Sequence, residues 1–192
     1  MTMTRLGILA GAFNPVTRAH LALIDAAVAA ARPLVDHVVC VVPRAYPHKE
    51  FHGAALEQRL EMLHAARGQY DVELTDGGLF IEIARELRAR HPDAESWFLC
   101  GRDAAERIIN WDYGDAGPID RLLDEFGLLV AARQGEYTPP DRLRHRVRPL
   151  PIPPGFDHHS SSEVRRRISA GEAWEHLVPE SIEQLVRRIY LG

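Results

Sequence analysis

The residues with the clearest chemical potential lie in the segment 11–20, GAFNPVTRAH, between an apolar run at 6–10 and an alanine-rich helical pattern. Free N–H groups at a helix N-terminus attract phosphate. Thr17 and His20 share a face of the first helical turn, where a phosphate would meet a hydroxyl and an imidazole. We expect Gly11 to permit a tight turn and close approach of that phosphate. Neither GxGxxG nor GK[ST] occurs, and a plain strand–turn–helix is the alternative.

A second candidate anion site is the run Ser160-Ser-Ser-Glu-Val-Arg165 near the end of the chain. Serines before a helix are typical of N-caps, and capping alone could explain them. Three hydroxyls together with free N–H groups and the charges of Arg165 and Arg166 would also hold an anion. The preceding His158 and His159 lack nearby carboxylates, so we interpret them as solvated loop histidines rather than metal ligands.

Three further segments carry polar groups directly after predicted strands. Lys49, the only lysine of the chain, ends the loop 43–49 and would neutralise a polyphosphate as a point charge. Asp103 suits ribose hydroxyls, and Trp111, eight residues later, suits stacking on a planar ring. Arg133 follows another strand. Each has a plain structural alternative, but together they favour a phosphate-rich, ribose-bearing ligand in one cleft.

These loops need a scaffold, and the sequence predicts one in which strands alternate with helices. We predict strands over 6–10, 38–42, 70–74, 96–100, 128–132 and, at an edge, 146–152, and helices over 17–31, 54–67, 79–90, 162–169 and 179–190. Near-continuous apolar strands in this alternation are typical of a parallel sheet with helices on both faces. Such an α/β fold binds its ligands at the carboxyl ends of the strands.

Composition limits the class of protein. A length of 192 residues suits a single domain over 1–192. The net charge, 23 − 27 = −4, argues against a nucleic-acid partner. Two cysteines exclude a disulfide framework and a cysteine zinc cluster. Because no stretch reaches 18 apolar residues and no signal peptide is apparent, we expect a cytoplasmic protein without membrane contact.

With these segments identified, the sequence resembles the HxGH-type nucleotidyltransferases. GAFNPVTRAH resembles their (H/T)xGH signature, with Thr at the first position, and SSSEVR resembles ISSTxIR. Between and beyond them stand counterparts, in order, of nicotinate- and nicotinamide-nucleotide adenylyltransferase segments: VVPRAYPHK, QRLEML, GRD…W, VAARQGEY and LVPESIEQLVRRIYL. The resemblance implies a Rossmann-like, five-stranded parallel sheet on which a helical part from about residue 160 packs.

The resemblance also implies a reaction and a set of roles. AMP would pass from ATP to a pyridine mononucleotide, releasing pyrophosphate and forming a dinucleotide for NAD biosynthesis. Mg²⁺ would be held mainly by the ATP phosphates, without protein ligands. The residues implied at the reacting phosphates are His20, Thr17, Lys49 and Arg165. Those implied for the nucleotide are Gly11, Ala12, Phe13, Gly101, Asp103, Arg133, Ser160 and Ser161, and those implied for the acceptor are Asn14, Trp111, Leu79 and Phe80.

Two departures from the family pattern leave the acceptor open. Ala19 replaces the glycine before the second histidine, and the stretch 78–83, GLFIEI, lacks the hydroxyls of nicotinate-specific members. Backbone N–H groups could replace those hydroxyls. The alternatives are the same chemistry on another acceptor, such as phosphopantetheine, or with another triphosphate, and a nucleotide-binding module with little turnover. A homo-oligomer is compatible with the sequence.

Overall fold

The fold is built on a six-stranded sheet in which every pairing is parallel. The computed structural model describes residues 3–29, 33–44, 46, 53–114, 117–132, 137–156 and 158–192. The strands are β1 (Thr4–Ala10), β2 (His37–Pro43), β3 (Asp71–Thr75), β4 (Ala94–Gly101), β5 (Gly127–Ala131) and β6 (Val147–Pro149). Their order across the sheet is β3-β2-β1-β4-β5-β6. The predicted Rossmann-like α/β fold is confirmed.

The sixth strand corrects the five-stranded sheet that the resemblance implied. β6 is short and pairs with β5 alone, with Leu128 beside Val147 and Val130 beside Pro149. Its edge position follows from Pro149, because proline has no N–H to donate and is tolerated only where one side of a strand is unpaired.

Seven α-helices connect and cover the described strands. They are α1 (Arg18–Val28), α2 (Leu56–Ala65), α3 (Phe80–Arg90), α4 (Arg102–Asn110), α5 (Ile119–Leu122), α6 (Ser161–Ala170) and α7 (Glu183–Tyr190). α4 and α5 were not predicted from the sequence, because each is short and buries only two residues. The predicted helix over 179–190 is divided: a 3₁₀ turn, Glu180–Ile182, precedes α7.

Strand side chains alternate between two apolar layers, one on each face of the sheet. In β2, Val38, Cys40 and Val42 face one layer, while Val39 and Val41 face the other. The first layer receives α1, α2, α6 and α7, and the second receives α3, α4 and α5. Burial on both faces explains why these strands read as continuous apolar runs. Among the residues described, no helix combines the length and apolar composition that crossing a bilayer requires.

The strand order places a crevice at the carboxyl ends of β1 and β4. These strands are paired in the middle of the sheet, with Ile8 beside Phe98, although five elements separate them in sequence. The chain returns across the sheet from β3 to β4, so the helices that follow β1 and β4 lie on opposite faces. This is the switch point at which open parallel sheets bind ligands.

Candidate active site

The imidazole of His20 is held in one orientation by the residue that begins its helix. The backbone N–H of Thr17 donates to Nδ1 of His20 over 2.9 Å, and Oγ1 of Thr17 lies 3.0 Å from the same atom. Because a backbone N–H can only donate, Nδ1 must be the acceptor. We therefore assign the neutral ring the tautomer with its proton on Nε2. In this tautomer Nε2 carries the one N–H donor of the neutral ring.

Phe13 supports the other side of this ring. Its ring centroid lies 5.1 Å from that of His20, at 57°, and Phe13 itself is buried. The backbone of Phe13 is left-handed, with φ of 48°. The residue with a left-handed backbone in this turn is therefore Phe13 and not Gly11, which we expected to permit the tight turn. Gly11 is not among the positive-φ glycines, and a Cβ there would make ordinary contact with Phe13 at 3.7 Å.

Thr17 is fully buried, with 0% of its surface exposed. Its hydroxyl therefore faces His20 and the protein interior rather than an open cleft. This geometry makes Thr17 a group that positions the imidazole, and it gives no route for the direct contact with triphosphate that the resemblance implied.

The two signature segments, far apart in sequence, are joined by hydrogen bonds. Ser160 is the N-cap of α6, and its Oγ accepts from the N–H of Glu163 at 3.1 Å. The hydroxyl of Ser161 donates to the carbonyl of Pro15 at 2.7 Å. Arg165 donates to the carbonyl of Asn14 at 2.5 Å. The N-termini of α1 and α6 therefore converge on one loop, and their free N–H groups make this region attractive to an anion.

Asn14 lies inside this junction rather than on its surface. It is 3% exposed, and its Oδ1 accepts hydrogen bonds from the N–H of Ala54 at 3.0 Å and from the hydroxyl of Tyr190. The contact with an acceptor that the resemblance implied for Asn14 is therefore not open to this oxygen. Sequence reasoning missed Tyr190 because a tyrosine on an amphipathic helix is typical of ordinary packing.

Arg59 is a second residue that sequence reasoning missed. This arginine of α2 is 5% exposed and donates to the carbonyl of Ala12 at 3.2 Å and to the hydroxyl of Tyr46 at 2.6 Å. Arg59 thereby connects α2 to the loop between β1 and α1. Arginine is rarely buried without a partner, so its place at a core position of a helix could have identified Arg59 from the sequence.

Across the switch point, β4 ends beside open space. A Cβ added at Gly101, the N-cap of α4, would have no neighbour within 4 Å. Asp103 follows in the first turn of α4 and is exposed. Trp111, directly after α4, is 44% exposed. The three predicted residues therefore lie on or beside one helix whose N-terminus borders the crevice.

The loop before α3 is closed to an incoming carboxylate by two carboxylates of the chain itself. The N–H groups of Gly78 and Leu79 donate to Glu82 at 3.0 and 2.9 Å. Those of residues 76 and 77 donate to Glu86 at 3.0 and 2.7 Å. Within the stretch 78–83, where backbone N–H groups were expected to replace the missing hydroxyls, those of Gly78 and Leu79 are already bound to Glu82. Leu79 and Phe80 are half-buried against the core.

The histidines before α6 differ from each other. His158 is exposed, as expected of a solvated loop. His159 is half-buried, with its ring 5.2 Å from that of Phe156, so the solvated interpretation is wrong for it. Burial lowers the pKa of His159, and nearby His176 lowers it further. Within the described ranges no group of three or more His, Cys, Asp or Glu is placed to hold a metal ion.

Two predicted phosphate contacts, Lys49 and Arg133, lie outside the described residues. Their predicted roles stay predictions. The segments that precede them, β2 and β5, both end at the same edge of the sheet as β1 and β4 because all these strands are parallel.

Comparison with known proteins gives this geometry a context. Residues 8–167 match the family described as cytidylyltransferase-like. The chain is 31% identical over 216 residues to a probable nicotinate-nucleotide adenylyltransferase of Geobacter sp. strain M21, covering 97% of this chain and 98% of the relative. A relative with the same name from Symbiobacterium thermophilum is 32% identical over 208 residues, covering 98% and 96%.

Solved structures show that the fold is shared. Nicotinic acid mononucleotide adenylyltransferase of Plasmodium falciparum, complexed with NaAD, superposes with a TM-score of 0.71 at 17% identity, over 96% of this chain and 95% of that chain. The same enzyme complexed with APC gives 0.68 at 16% identity, again over 96% and 95%. With a family match over residues 8–167 and relatives aligned along nearly the full length, the chain belongs to the cytidylyltransferase-like family.

Proposed function

We propose that this protein is an adenylyltransferase that joins AMP from ATP to a pyridine mononucleotide, releasing pyrophosphate and forming a dinucleotide. The observation that carries the proposal is the junction of the two signatures, in which Ser161 and Arg165 bind the loop that leads into His20. The N-termini of α1 and α6 and the imidazole of His20 then belong to one junction, and helix N-termini attract phosphate. The names of the full-length relatives support the pyridine mononucleotide as acceptor.

The reaction needs no protein nucleophile. The phosphate of the mononucleotide attacks the α-phosphorus of ATP in line, and the bond to the β-phosphate oxygen breaks as pyrophosphate leaves. His20 donates from Nε2 to a non-bridging oxygen of the α-phosphate, where charge grows in the transition state. Arg165 stabilises charge on the leaving pyrophosphate, since a guanidinium can bind phosphate through two N–H groups. Thr17 and Phe13 keep the imidazole in place.

The remaining residues complete a binding scheme across the switch point. Asp103 binds the ribose of the adenosine, and the open side of Gly101 admits the nucleotide. Trp111 stacks on the acceptor base. Lys49 and Arg133, which follow β2 and β5, assist at the phosphates.

Mg²⁺ would be held mainly by the phosphates of ATP and would supply positive charge there. Mg²⁺ keeps several waters and is usually bound by substrate phosphates with few protein groups. Asp103, exposed in the first turn of α4, binds the ribose in this proposal, which leaves the ion to the phosphates and water. The ion would neutralise phosphate charge, while the transfer itself is guided by His20 and Arg165.

Dinucleotide formation tests the proposal directly. We expect ATP and Mg²⁺ with nicotinate or nicotinamide mononucleotide to give pyrophosphate and the matching dinucleotide, detected by chromatography. Turnover with phosphopantetheine alone would keep the chemistry and replace the acceptor. Binding of ATP by calorimetry without turnover on any acceptor would leave a nucleotide-binding module and contradict the proposal.

A further inference from the structure

The loop that carries His20 is shaped by groups from three distant elements. The carbonyl of Ala12 accepts from Arg59 of α2 at 3.2 Å, and the carbonyl of Pro15 accepts from Ser161 of α6 at 2.7 Å. Between them, Asn14 receives the N–H of Ala54 at 3.0 Å on its side-chain oxygen. The path of the backbone from β1 to α1 is therefore set mainly by side chains outside the loop.

The third element is α7, whose last residue, Tyr190, reaches this loop. Its hydroxyl donates to Oδ1 of Asn14, the same atom that accepts from Ala54. Two donors fill the two lone pairs of that oxygen. The amide of Asn14 is thereby held between Ala54, just before α2, and Tyr190 of α7, while its backbone carbonyl is bound to Arg165 of α6.

The surroundings of Tyr190 keep its hydroxyl protonated and able to donate. Burial raises the pKa of Tyr190, and the positive charges of Arg165 and Arg59 oppose that shift without cancelling it. The same two arginines bind the loop carbonyls of Asn14 and Ala12. Tyr190 therefore lies near two arginines that bind this loop.

We propose that Tyr190 is a positioning residue for adenylyl transfer, which acts through Asn14 on the loop that holds His20. Without its hydroxyl, Oδ1 of Asn14 loses the donor that comes from α7. The imidazole then samples more orientations, although every group proposed to touch substrate is still present. This inference rests on the proposed function for its catalytic part and on the contacts alone for its structural part.

Hydrogen exchange in the protein without substrates tests the structural part. The backbone N–H of Thr17, which binds His20, reports the state of the loop. Tyr190→Phe is expected to speed exchange at Thr17 about tenfold. Tyr70→Phe is the matched control, because the Tyr70 hydroxyl donates to the carbonyl of Leu63 at 2.6 Å, and its pKa is also raised by burial, to about 12. It should leave Thr17 unchanged. Unchanged exchange at Thr17 in Tyr190→Phe would overturn the proposal.

Turnover tests the catalytic part. At saturating ATP and mononucleotide, Tyr190→Phe should lower kcat about tenfold with KM for ATP within about twofold, whereas Tyr70→Phe should keep kcat. Equal kcat in Tyr190→Phe and wild type would overturn a positioning role. If the wild-type protein turns over no acceptor, the proposed function fails, while the exchange experiment still decides whether Tyr190 secures the loop.

Discussion

Among single residues, the imidazole of His20 is the most important for the proposed adenylyl transfer. A backbone donor fixes Nδ1 as the acceptor, so Nε2–H is the group of the neutral ring that can donate a hydrogen bond to a phosphate oxygen. The ring is also packed against Phe13. A donor held in place before the reaction stabilises developing charge without reorganising, which is the largest single contribution in many transfer reactions.

The burial of Thr17 leads to a prediction that separates positioning from substrate binding. Thr17→Val removes Oγ1 but keeps the backbone N–H that binds His20. Losing one hydrogen bond of about 1 kcal/mol should lower kcat roughly fivefold, with KM for ATP nearly unchanged. Steady-state kinetics over a range of ATP concentrations measure both. A large rise in KM with normal kcat would instead place the hydroxyl on the triphosphate.

Part of this residue pattern was predictable. A spacing of three residues places Thr17 and His20 on one face of a helical turn, and the structure brings them to 3.0 Å. Sequence could not predict that Thr17 would be fully covered, nor that Asn14 would be, because residues far along the chain cover them. The spacing of residues along a helix shows which side chains share a face. It does not show which residues from distant segments will cover them.

At the scale of elements, α6 and α3 use their N-termini differently. Ser160 caps α6 and leaves Ser161 and Arg165 to join the loop of the first signature. At α3, Glu82 folds back onto the two N–H groups that precede the helix. The positive potential of α3 is thus partly neutralised by a carboxylate of the chain itself.

This difference predicts how the protein discriminates between acceptors. Glu82→Gln keeps an oxygen for the two N–H groups but removes a negative charge near the proposed acceptor pocket. A charge at a helix N-terminus is worth about 0.3–1 kcal/mol, so kcat/KM for nicotinate mononucleotide relative to nicotinamide mononucleotide should rise roughly two- to fivefold.

Competition between the two mononucleotides measures this ratio. Glu183→Gln, at the start of α7 on the other face of the sheet, is the control and should leave the ratio unchanged. A ratio that falls in Glu82→Gln, or that moves equally in both variants, would show that Glu82 does not face the acceptor.

Most elements were predictable because their apolar periods are clear. The strands over 38–42 and 96–100 are each a single apolar run, and the structure extends them by a residue or two to His37–Pro43 and Ala94–Gly101. α4 was missed because its nine residues, RDAAERIIN, bury only Ala105 and Ile108. So short an apolar stripe is hard to distinguish from a loop.

At the scale of the whole molecule, the strand order makes the site. β1 and β4 meet in the middle of the sheet, and the polar residues that follow them come from positions about 90 residues apart. The sequence predicted a parallel sheet and a ligand edge, but the order of the strands is known from the structure. Strand order depends on the crossover connections, which apolar patterns do not determine.

Acidity should destabilise the protein as a whole. The pKa of Glu163 is lowered to about 2, from the ordinary 4.5, by hydrogen bonds from Arg166 and Arg167. The pKa values of other carboxyls bound to arginine are also lowered, at Asp36, Glu73, Glu95 and Glu125. As the pH falls, these carboxyls become protonated in the unfolded chain before they do so in the folded protein. The stabilisation that their ion pairs give is therefore present above about pH 4.5 and is lost below it.

Calorimetry at several pH values checks this prediction. We expect Tm to fall slightly below about pH 6.5, where unfolding lets His159 take up a proton, and steeply below about pH 4.5. Glu163→Gln should flatten the steep part. A Tm that stays constant or rises from pH 5 to pH 3 would contradict the assignment of these ion pairs.

The most direct test of the central claim is the transfer of label from ATP in wild type and His20→Ala. We predict that label on the α-phosphate appears in the dinucleotide and label on the γ-phosphate in pyrophosphate. We also predict that His20→Ala lowers the rate at saturating substrates by about 10²–10³-fold, as loss of one transition-state donor does. Transfer at the wild-type rate in His20→Ala, or α-label that stays out of the dinucleotide, would contradict the account.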